Sequence, residues 1–222
     1  MKLLLTSAGV KNLSIHNALI EMLGKPIAEA NALCIPTASY AFPNGPEMAY
    51  QYITGQATTP MCELGWKTVG VLELSVLPCL KPEHWVPMVK QTDVLLVNGG
   101  DPLFLHYWMR QSGLADLLPE LNEKVYLGLS AGSMIMAPNI GEDFVNWRQP
   151  SGDDKTLGMV NFAIFPHLDH VDLPENTMAD AEKWAATMPI PTYAIDDQTA
   201  IKVIDGKVEV VTEGHWRFFD KS

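Results

Sequence analysis

Residues 125–136 read VYLGLSAGSMIM, which is an apolar run, the segment Gly-Leu-Ser-Ala-Gly and a second apolar run. The first run is typical of a buried strand and the second of a helix, so the pattern predicts a sharp strand-to-helix turn centred on Ser130. Side chains at Gly128 and Gly132 would meet neighbouring backbone in such a turn. The G-x-S-x-G pattern has two interpretations: Ser130 is an exposed nucleophile, or the small residues only let a helix pack closely on a strand.

The same alternation of apolar runs and helical patterns extends toward the N-terminus. A parallel sheet covered by helices on both faces produces this order, with strands buried enough to be continuously apolar. The predicted strands are KLLLT, ALCIP, TVGVLEL, DVLLV and VYLGLS, and the predicted helices are NLSIHNALIEML, PEHWVPMVKQ and PLFLHYWMRQSG. We therefore predict an α/β fold, a three-layer sandwich with a mostly parallel central sheet, in a single domain over residues 1–222.

The C-terminal part of the chain follows a different pattern. Residues 138–158 are rich in Gly, Pro and Asp and predict a long surface loop. NFAIF predicts a strand ending at Pro166, and PENTMADAEKWAATM predicts a capped helix. Residues 193–214 alternate between apolar and polar, with turns at DDQ and DG, and predict antiparallel strands.

Composition limits the classes of partner and cofactor. A net charge of −11 without any run of Lys or Arg argues against nucleic acid or an anionic membrane as the partner. Three widely spaced cysteines without a CxxC pair suggest neither a disulfide framework nor a zinc site. The N-terminal apolar run is too short for a signal peptide or a spanning helix. We expect a cytoplasmic protein without a metal or organic cofactor, and the sequence leaves the oligomeric state open.

A nucleophilic serine needs a base within hydrogen-bond reach and a third group that holds the base. His167 and His170 follow the run FAIF, so we expect both at the carboxyl edge of the sheet that carries Ser130. His167 is nearer to the strand end and is the preferred base, with His170 in the loop beyond. Three further histidines lie in helical patterns and are predicted to be structural: His16, His84 and His106.

The segment NGGDP follows the strand DVLLV and precedes a helical pattern. Alone it predicts a tight turn. Next to a serine turn, its glycines also predict a second half of an oxyanion hole, with the Gly100 N–H complementing the Ala131 N–H. Asp101, at the same strand end, is a candidate for substrate binding.

Taken together, these segments resemble the peptidase E family of serine peptidases, which includes aspartyl dipeptidase and, more distantly, cyanophycinase. Residues 94–105, 126–138, 161–176 and 193–203 carry the resemblance. It implies a fold similar to class I glutamine amidotransferases, with a serine in place of their cysteine. It also implies a dipeptidase E-like activity on short peptides, with Ser130 as nucleophile and His167 as base.

The resemblance also suggests which acids take part. Asp197, in IDDQTAI, falls where the family tends to carry Glu, and we rank it first as the residue that orients His167. Family members also carry an acid in the loop after the serine turn. Glu142 is the preferred match for that acid and Asp143 is the alternative.

The substrate and two alternative functions stay open. Members that cleave after an N-terminal aspartate carry a cation in the helix after the Pro-His element, but here only Lys183 in that helix, or Arg148 in the long loop, could replace it.

One alternative function is an α/β-hydrolase esterase that uses Ser130, Asp197 and His215, in the chain order of that fold. The other is a ligand-binding protein without catalysis, which keeps the serine turn only for packing.

Overall fold

The computed structural model describes residues 1–221, and Ser222, the last residue of the predicted domain, lies outside the described residues. The strands of its central sheet are β1 (Lys2–Thr6), β2 (Asn31–Ile35), β3 (Thr68–Val71), β4 (Val94–Val97), β5 (Val125–Leu129), β8 (Thr199–Ile204) and β9 (Lys207–Thr212). They lie in the order β3-β2-β4-β5-β1-β8-β9. That these belong to one domain stays a prediction.

The central sheet is mostly parallel, as predicted. β3, β2, β4, β5 and β1 pair in parallel, whereas β8 pairs antiparallel with both β1 and β9. The predicted hairpin at Asp205-Gly206 joins β8 to β9. Thr6 lies beside Leu129 in the register of β1 and β5, so these two strands reach the carboxyl edge of the sheet together.

Helices cover both faces of the central sheet. The helices of residues 1–221 are α1 (Leu13–Leu23), α2 (Gly45–Ile53), α3 (Val86–Gln91), α4 (Pro102–Gln111), α5 (Leu114–Leu117), α6 (Ala131–Met134) and α7 (Met178–Thr187), of which α7 packs on a separate sheet. Successive side chains of a strand point to opposite faces, so Leu4 packs in one core with Leu19 of α1, and Leu5 packs in the other with Leu105 of α4. The predicted three-layer arrangement is therefore confirmed. Within residues 1–221, the helices are all too short or too polar to cross a bilayer.

The C-terminal part of the chain contributes a second, three-stranded sheet, which differs from the sequence prediction. It consists of β6 (Ala163–Phe165), β7 (Thr192–Ile195) and β10 (Trp216–Phe219), with β7 in the middle. The run FAIF was expected to join the sheet that carries Ser130, and YAI was expected to pair antiparallel with the strand after it. Instead β6 and β7 pair in parallel with each other, and α7 packs on them through Trp184.

The chain passes between the two sheets at residues 196–198, where the Asp196 carboxylate holds the turn. It accepts hydrogen bonds from Gln198 N–H, Thr199 Oγ1 and His215 N–H at 3.1, 2.6 and 2.8 Å. These bonds lie between the end of β7 at Ile195 and the start of β8 at Thr199, four residues later. The DDQ turn was predicted, but it joins two sheets rather than two paired strands.

The turn from β5 into α6 brings three stretches of backbone unusually close together. A Cβ on Gly132 would lie 2.4 Å from the Val97 carbonyl oxygen of β4, and a Cβ on Gly128 would lie 2.8 Å from the Gly132 carbonyl group. Real Cβ atoms do not approach backbone so closely. The clash predicted from the sequence at both glycines is therefore confirmed.

We expect Gly132→Ala to lower the free energy of unfolding by about 1–3 kcal/mol, because the new methyl group must displace β4 backbone. Gly70→Ala is the matched control, since a Cβ there would meet only the end of the Leu33 side chain, at 3.1 Å. Urea denaturation followed by circular dichroism measures both. Equal stability of the two variants would contradict the close packing of α6 on β4.

Candidate active site

Ser130 sits in the sharp turn between β5 and α6, as the sequence predicts. Its backbone has φ 48° and ψ −112°, in a region that residues other than glycine rarely occupy. The Ser130 N–H donates to the Thr6 carbonyl oxygen at the end of β1 (3.0 Å), and the Ser130 carbonyl accepts from Ser133 and Met134 of α6. The turn is thus held on both sides and presents the hydroxyl at the carboxyl edge of the central sheet.

His167 reaches Ser130 from the second sheet. It follows β6 after Pro166, and its Nε2 lies 2.9 Å from Ser130 Oγ. Its Nδ1 lies 2.7 Å from Oδ1 of Asp197, which belongs to the turn between β7 and β8. The three residues predicted to act together therefore form one hydrogen-bonded chain, although His167 comes from a different sheet than expected.

The surroundings of Asp197 favour its ionised form. Burial alone would raise the pKa of this carboxyl, but hydrogen bonds from His167 and Ser7 and the nearby ring of His170 hold the pKa below its usual value. An ionised carboxylate next to Nδ1 keeps the imidazole proton on that nitrogen. His167 Nε2 is then free to accept the proton of the Ser130 hydroxyl.

Ser7 is a polar member of the site that the sequence prediction missed. It is fully buried just after β1, its Oγ lies 2.8 Å from Asp197 Oδ1, and it accepts a hydrogen bond from the His167 N–H at 2.7 Å. A signal existed in the sequence. The run KLLLT ends in Thr-Ser-Ala-Gly, so a hydroxyl follows directly on a predicted parallel strand, where such strands deliver functional residues.

His170 contacts the same carboxylate from the other side. Its Nε2 lies 3.5 Å from Asp197 Oδ2, and its Nδ1 accepts from the Asp172 N–H. It was expected to be only a loop residue, but the structure brings it within reach of the acid that contacts His167.

Two backbone N–H groups are available for an oxyanion. The N–H groups of Gly100 and Ala131 donate no hydrogen bond to other atoms of residues 1–221. Gly100 has φ 141°, and a Cβ there would lie 2.3 Å from the Ala38 carbonyl oxygen, so only glycine fits. A Cβ on the preceding Gly99 would lie 3.3 Å from Ser130 Cβ, which shows how closely the NGG turn approaches the serine.

Asp101 has a structural position that does not match the predicted role in substrate binding. The residue is 1 % exposed, and its carboxylate accepts hydrogen bonds from the backbone N–H groups of Phe104 and Trp147 (2.8 and 2.9 Å). Burial raises the pKa of the Asp101 carboxyl despite these bonds. Asp101 thus caps α4 and ties the long loop to it, leaving no free oxygen for a substrate.

The charged loop residues lie apart from this chain of hydrogen bonds. Glu142 is exposed and pairs with Arg148 at 3.0 Å, while Lys183 pairs with Asp180 at 3.0 Å. Asp143 and Lys183 line a separate cleft beside α7. Within residues 1–221, none of the four side chains Glu142, Asp143, Arg148 and Lys183 forms a hydrogen bond or ion pair with Ser130, His167 or Asp197.

His215 also lies away from Ser130. Its ring contacts two other carboxylates, Asp169 at 2.9 Å and Asp196 at 3.1 Å. The histidine within hydrogen-bond distance of Ser130 Oγ is His167. The geometry required for an esterase with Ser130, Asp197 and His215 is therefore absent from the described residues.

A cleft of about 460 Å³ opens beside Ser130, His167 and the NGG turn. Its opposite wall comes from α2 and the segment after it, a stretch without any predicted element. The wall side chains are uncharged: Met48, Gln51, Tyr52, Gln56, Ala57, Thr58 and Thr59. Pro46 in the first turn of α2, followed by apolar residues at helical spacing, was the signal that could have located this wall.

Comparisons with known proteins agree with this fold and site. A sequence model of peptidase family S51 matches residues 3–211. An uncharacterized peptidase of Pasteurella multocida is 29% identical over 133 residues, which are 56% of this chain and 62% of that protein. An uncharacterized peptidase of Listeria monocytogenes is 30% identical over 131 residues, again 56% of this chain and 62% of that protein. The aligned part is thus less than two thirds of either relative.

Two solved structures share the fold at lower identity. A Listeria monocytogenes protein provisionally assigned as a peptidase E superposes with a TM-score of 0.67 at 21% identity, covering 96% of this chain and 98% of that one. A peptidase from an acI-B1 actinobacterium gives a TM-score of 0.67 at 20% identity, covering 99% of this chain and 90% of that one. The resemblance to the peptidase E family seen in the sequence motifs is confirmed. Because the family match runs from β1 into β9, across the whole central sheet, the chain belongs to peptidase family S51.

Proposed function

We propose that this chain is a serine peptidase that hydrolyses short peptides, as a dipeptidase, through an acyl-enzyme on Ser130. The observation that carries the proposal is the hydrogen-bonded chain from Ser130 through His167 to Asp197. A buried or purely structural serine does not need a histidine on its hydroxyl, nor an ionised carboxylate behind that histidine. The family match supports the same class of reaction.

The geometry suggests a sequence of steps for peptide-bond hydrolysis. Ser130 Oγ attacks the carbonyl carbon of the substrate while His167 Nε2 takes the hydroxyl proton. The charge that develops on the carbonyl oxygen is stabilised by the N–H groups of Gly100 and Ala131. Asp197 stabilises the imidazolium, which then donates its proton to the leaving amine. A water molecule activated by His167 completes the cycle by hydrolysing the ester on Ser130.

The dimensions of the cleft favour a short substrate. A volume of about 460 Å³ lies in the range of small-molecule sites. Its uncharged wall offers amides, hydroxyls and a methionine for contact with the substrate. These features support a dipeptide or a similarly small peptide rather than an extended chain.

The proposal does not include a preference for N-terminal acidic residues, which would need a cation in the cleft. Arg148 and Lys183, the two cations considered for that role, form ion pairs with Glu142 and Asp180. Neither lines the cleft beside Ser130. The cation that touches the cleft wall is Lys11, whose Nζ donates to the Thr58 carbonyl oxygen.

We expect Ser130→Ala to lower kcat on dipeptide substrates by roughly 10⁴- to 10⁶-fold, because the variant loses its nucleophile. A panel of dipeptides followed by amine release measures the activity. The control is Ser112→Ala, which removes the hydroxyl of a buried serine at the end of α4, away from the cleft. Full activity of Ser130→Ala would refute the acyl-enzyme. Inactivity of the wild-type protein on the whole panel, with no labelling of Ser130 by a fluorophosphonate, would favour ligand binding without catalysis.

We expect His167→Ala to remove the activity and His215→Ala to retain it, because only His167 contacts Ser130. Steady-state kinetics on the fastest dipeptide of the panel compares the two variants with the wild-type protein. The esterase alternative makes the opposite prediction. If His215→Ala lost activity and His167→Ala did not, the base would be His215 rather than His167.

We expect dipeptides with N-terminal Asn to be cleaved at least as fast as those with N-terminal Asp. The two residues have nearly the same shape, and the uncharged wall of the cleft provides no partner for the carboxylate. The ratio of kcat/KM for Asn-Leu and Asp-Leu, and for Gln-Leu and Glu-Leu, measures this preference. A strong preference for the acidic member of both pairs would contradict this expectation. Lys11 would then be the first residue to substitute in a search for the cation that binds the acid.

A further inference from the structure

The end of β1 contacts all three residues of the Ser130–His167–Asp197 chain through two consecutive residues. The Thr6 carbonyl oxygen accepts the hydrogen bond of the Ser130 N–H. The hydroxyl of the next residue, Ser7, accepts from the His167 N–H at 2.7 Å and donates to Asp197 Oδ1 at 2.8 Å. Ser7 has no exposed surface, so water does not compete for either bond.

We propose that Ser7 is a positioning residue for the reaction. Its hydroxyl joins the backbone of His167 to the carboxylate of Asp197 and so fixes the orientation of the imidazole toward Ser130. This inference rests on the proposed function, since it assigns a role only if His167 acts as the base. Ser7 itself contacts neither a substrate nor the serine hydroxyl in this arrangement.

The backbone of His167 needs such an anchor. Its φ of 56° lies in the left-handed region, which is unfavourable for a residue with a Cβ and persists only where the surroundings hold it. Its N–H bonds to Ser7 rather than to a neighbouring strand. The next N–H, that of Leu168, donates to the Ile195 carbonyl at the end of β7. The bond to Ser7 is therefore the link between the backbone of His167 and the central sheet.

The carboxylate of Asp197 needs the same anchor for a different reason. Asp197 lies in the turn between the two sheets, outside any strand, so its backbone has no ladder of hydrogen bonds to hold it. Oδ1 receives hydrogen bonds from both Ser7 Oγ and His167 Nδ1. Two donors hold Oδ1 toward the imidazole, and His170 Nε2 contacts Oδ2 at 3.5 Å. Without Ser7, the bond from His167 and the longer contact with His170 would hold the carboxylate less firmly.

The role of Ser7 has a kinetic signature. Ser7 does not line the cleft beside Ser130, so its loss misaligns the imidazole without changing the surface that binds the substrate. Such a change lowers kcat while KM stays nearly the same. A loss of Ser7 that acted only on folding would lower the amount of folded protein and leave kcat per folded enzyme unchanged.

We expect Ser7→Ala to lower kcat by roughly 10- to 100-fold with little change in KM, because the imidazole is misaligned while the cleft is intact. Ser7→Thr retains the hydroxyl and is expected to recover most of the lost kcat. Ser7→Cys fills a similar space with a weaker donor and repeats the comparison if Ser7→Ala does not fold. All variants are assayed on the fastest dipeptide and by the rate of fluorophosphonate labelling.

The control is Ser112→Ala, because the Ser112 hydroxyl is also buried, also donates one hydrogen bond (to the Met109 carbonyl) and also accepts one (from the Leu114 N–H). It should lose comparable stability in urea while kcat and KM stay those of the wild-type protein. The proposal is overturned if Ser7→Ala matches Ser112→Ala in kcat, or if Ser7→Thr recovers none of the lost kcat, while Ser130→Ala is inactive. If Ser130→Ala is active, the proposed function fails instead, whatever Ser7→Ala does.

Discussion

The close contact of α6 with β4 and β5 is the constraint on which the site depends. No side chain fits at Gly132, where a Cβ would lie 2.4 Å from the Val97 carbonyl oxygen. The chain can turn this sharply only if Ser130 adopts a positive φ, and that conformation points its hydroxyl away from both cores. The unfavourable backbone of Ser130 thus follows from packing, and the bond from its N–H to Thr6 helps to maintain it.

The central sheet carries Ser130, and the second sheet brings in the histidine and the carboxylate that contact it in series. β6 and β7 end near the carboxyl edge of the central sheet and bring His167 and Asp197 to Ser130 from outside it. The transition between the sheets depends on Asp196, whose carboxylate holds the turn, while the adjacent Asp197 faces the imidazole. Two neighbouring aspartates therefore have separate tasks, one structural and one in the site.

The sequence predicts those parts of the structure that depend on local pattern. Ser130 and His167 each follow an apolar run, and strand ends are where polar side chains emerge, so both could be identified. The sheet that β6 joins could not be identified in this way. A three-residue run such as Ala163–Phe165 carries no information about which strand it pairs with. Asp101 was assigned to substrate binding because it follows the NGG turn, but its carboxylate caps α4. Asp followed by Pro is a common start of a helix, so the sequence carried a signal for this capping role.

The short acid at position 197 explains why the end of β1 becomes part of the site. A glutamate can reach an imidazole over a wider range of backbone positions, whereas an aspartate must have its backbone close by and its rotation fixed. The turn after Asp196 brings the backbone close, and the bond from Ser7 acts on the same oxygen that faces His167. The strand that holds Ser130 through the Thr6 carbonyl thus also holds the acid, so the serine and the carboxylate share one rigid support in β1.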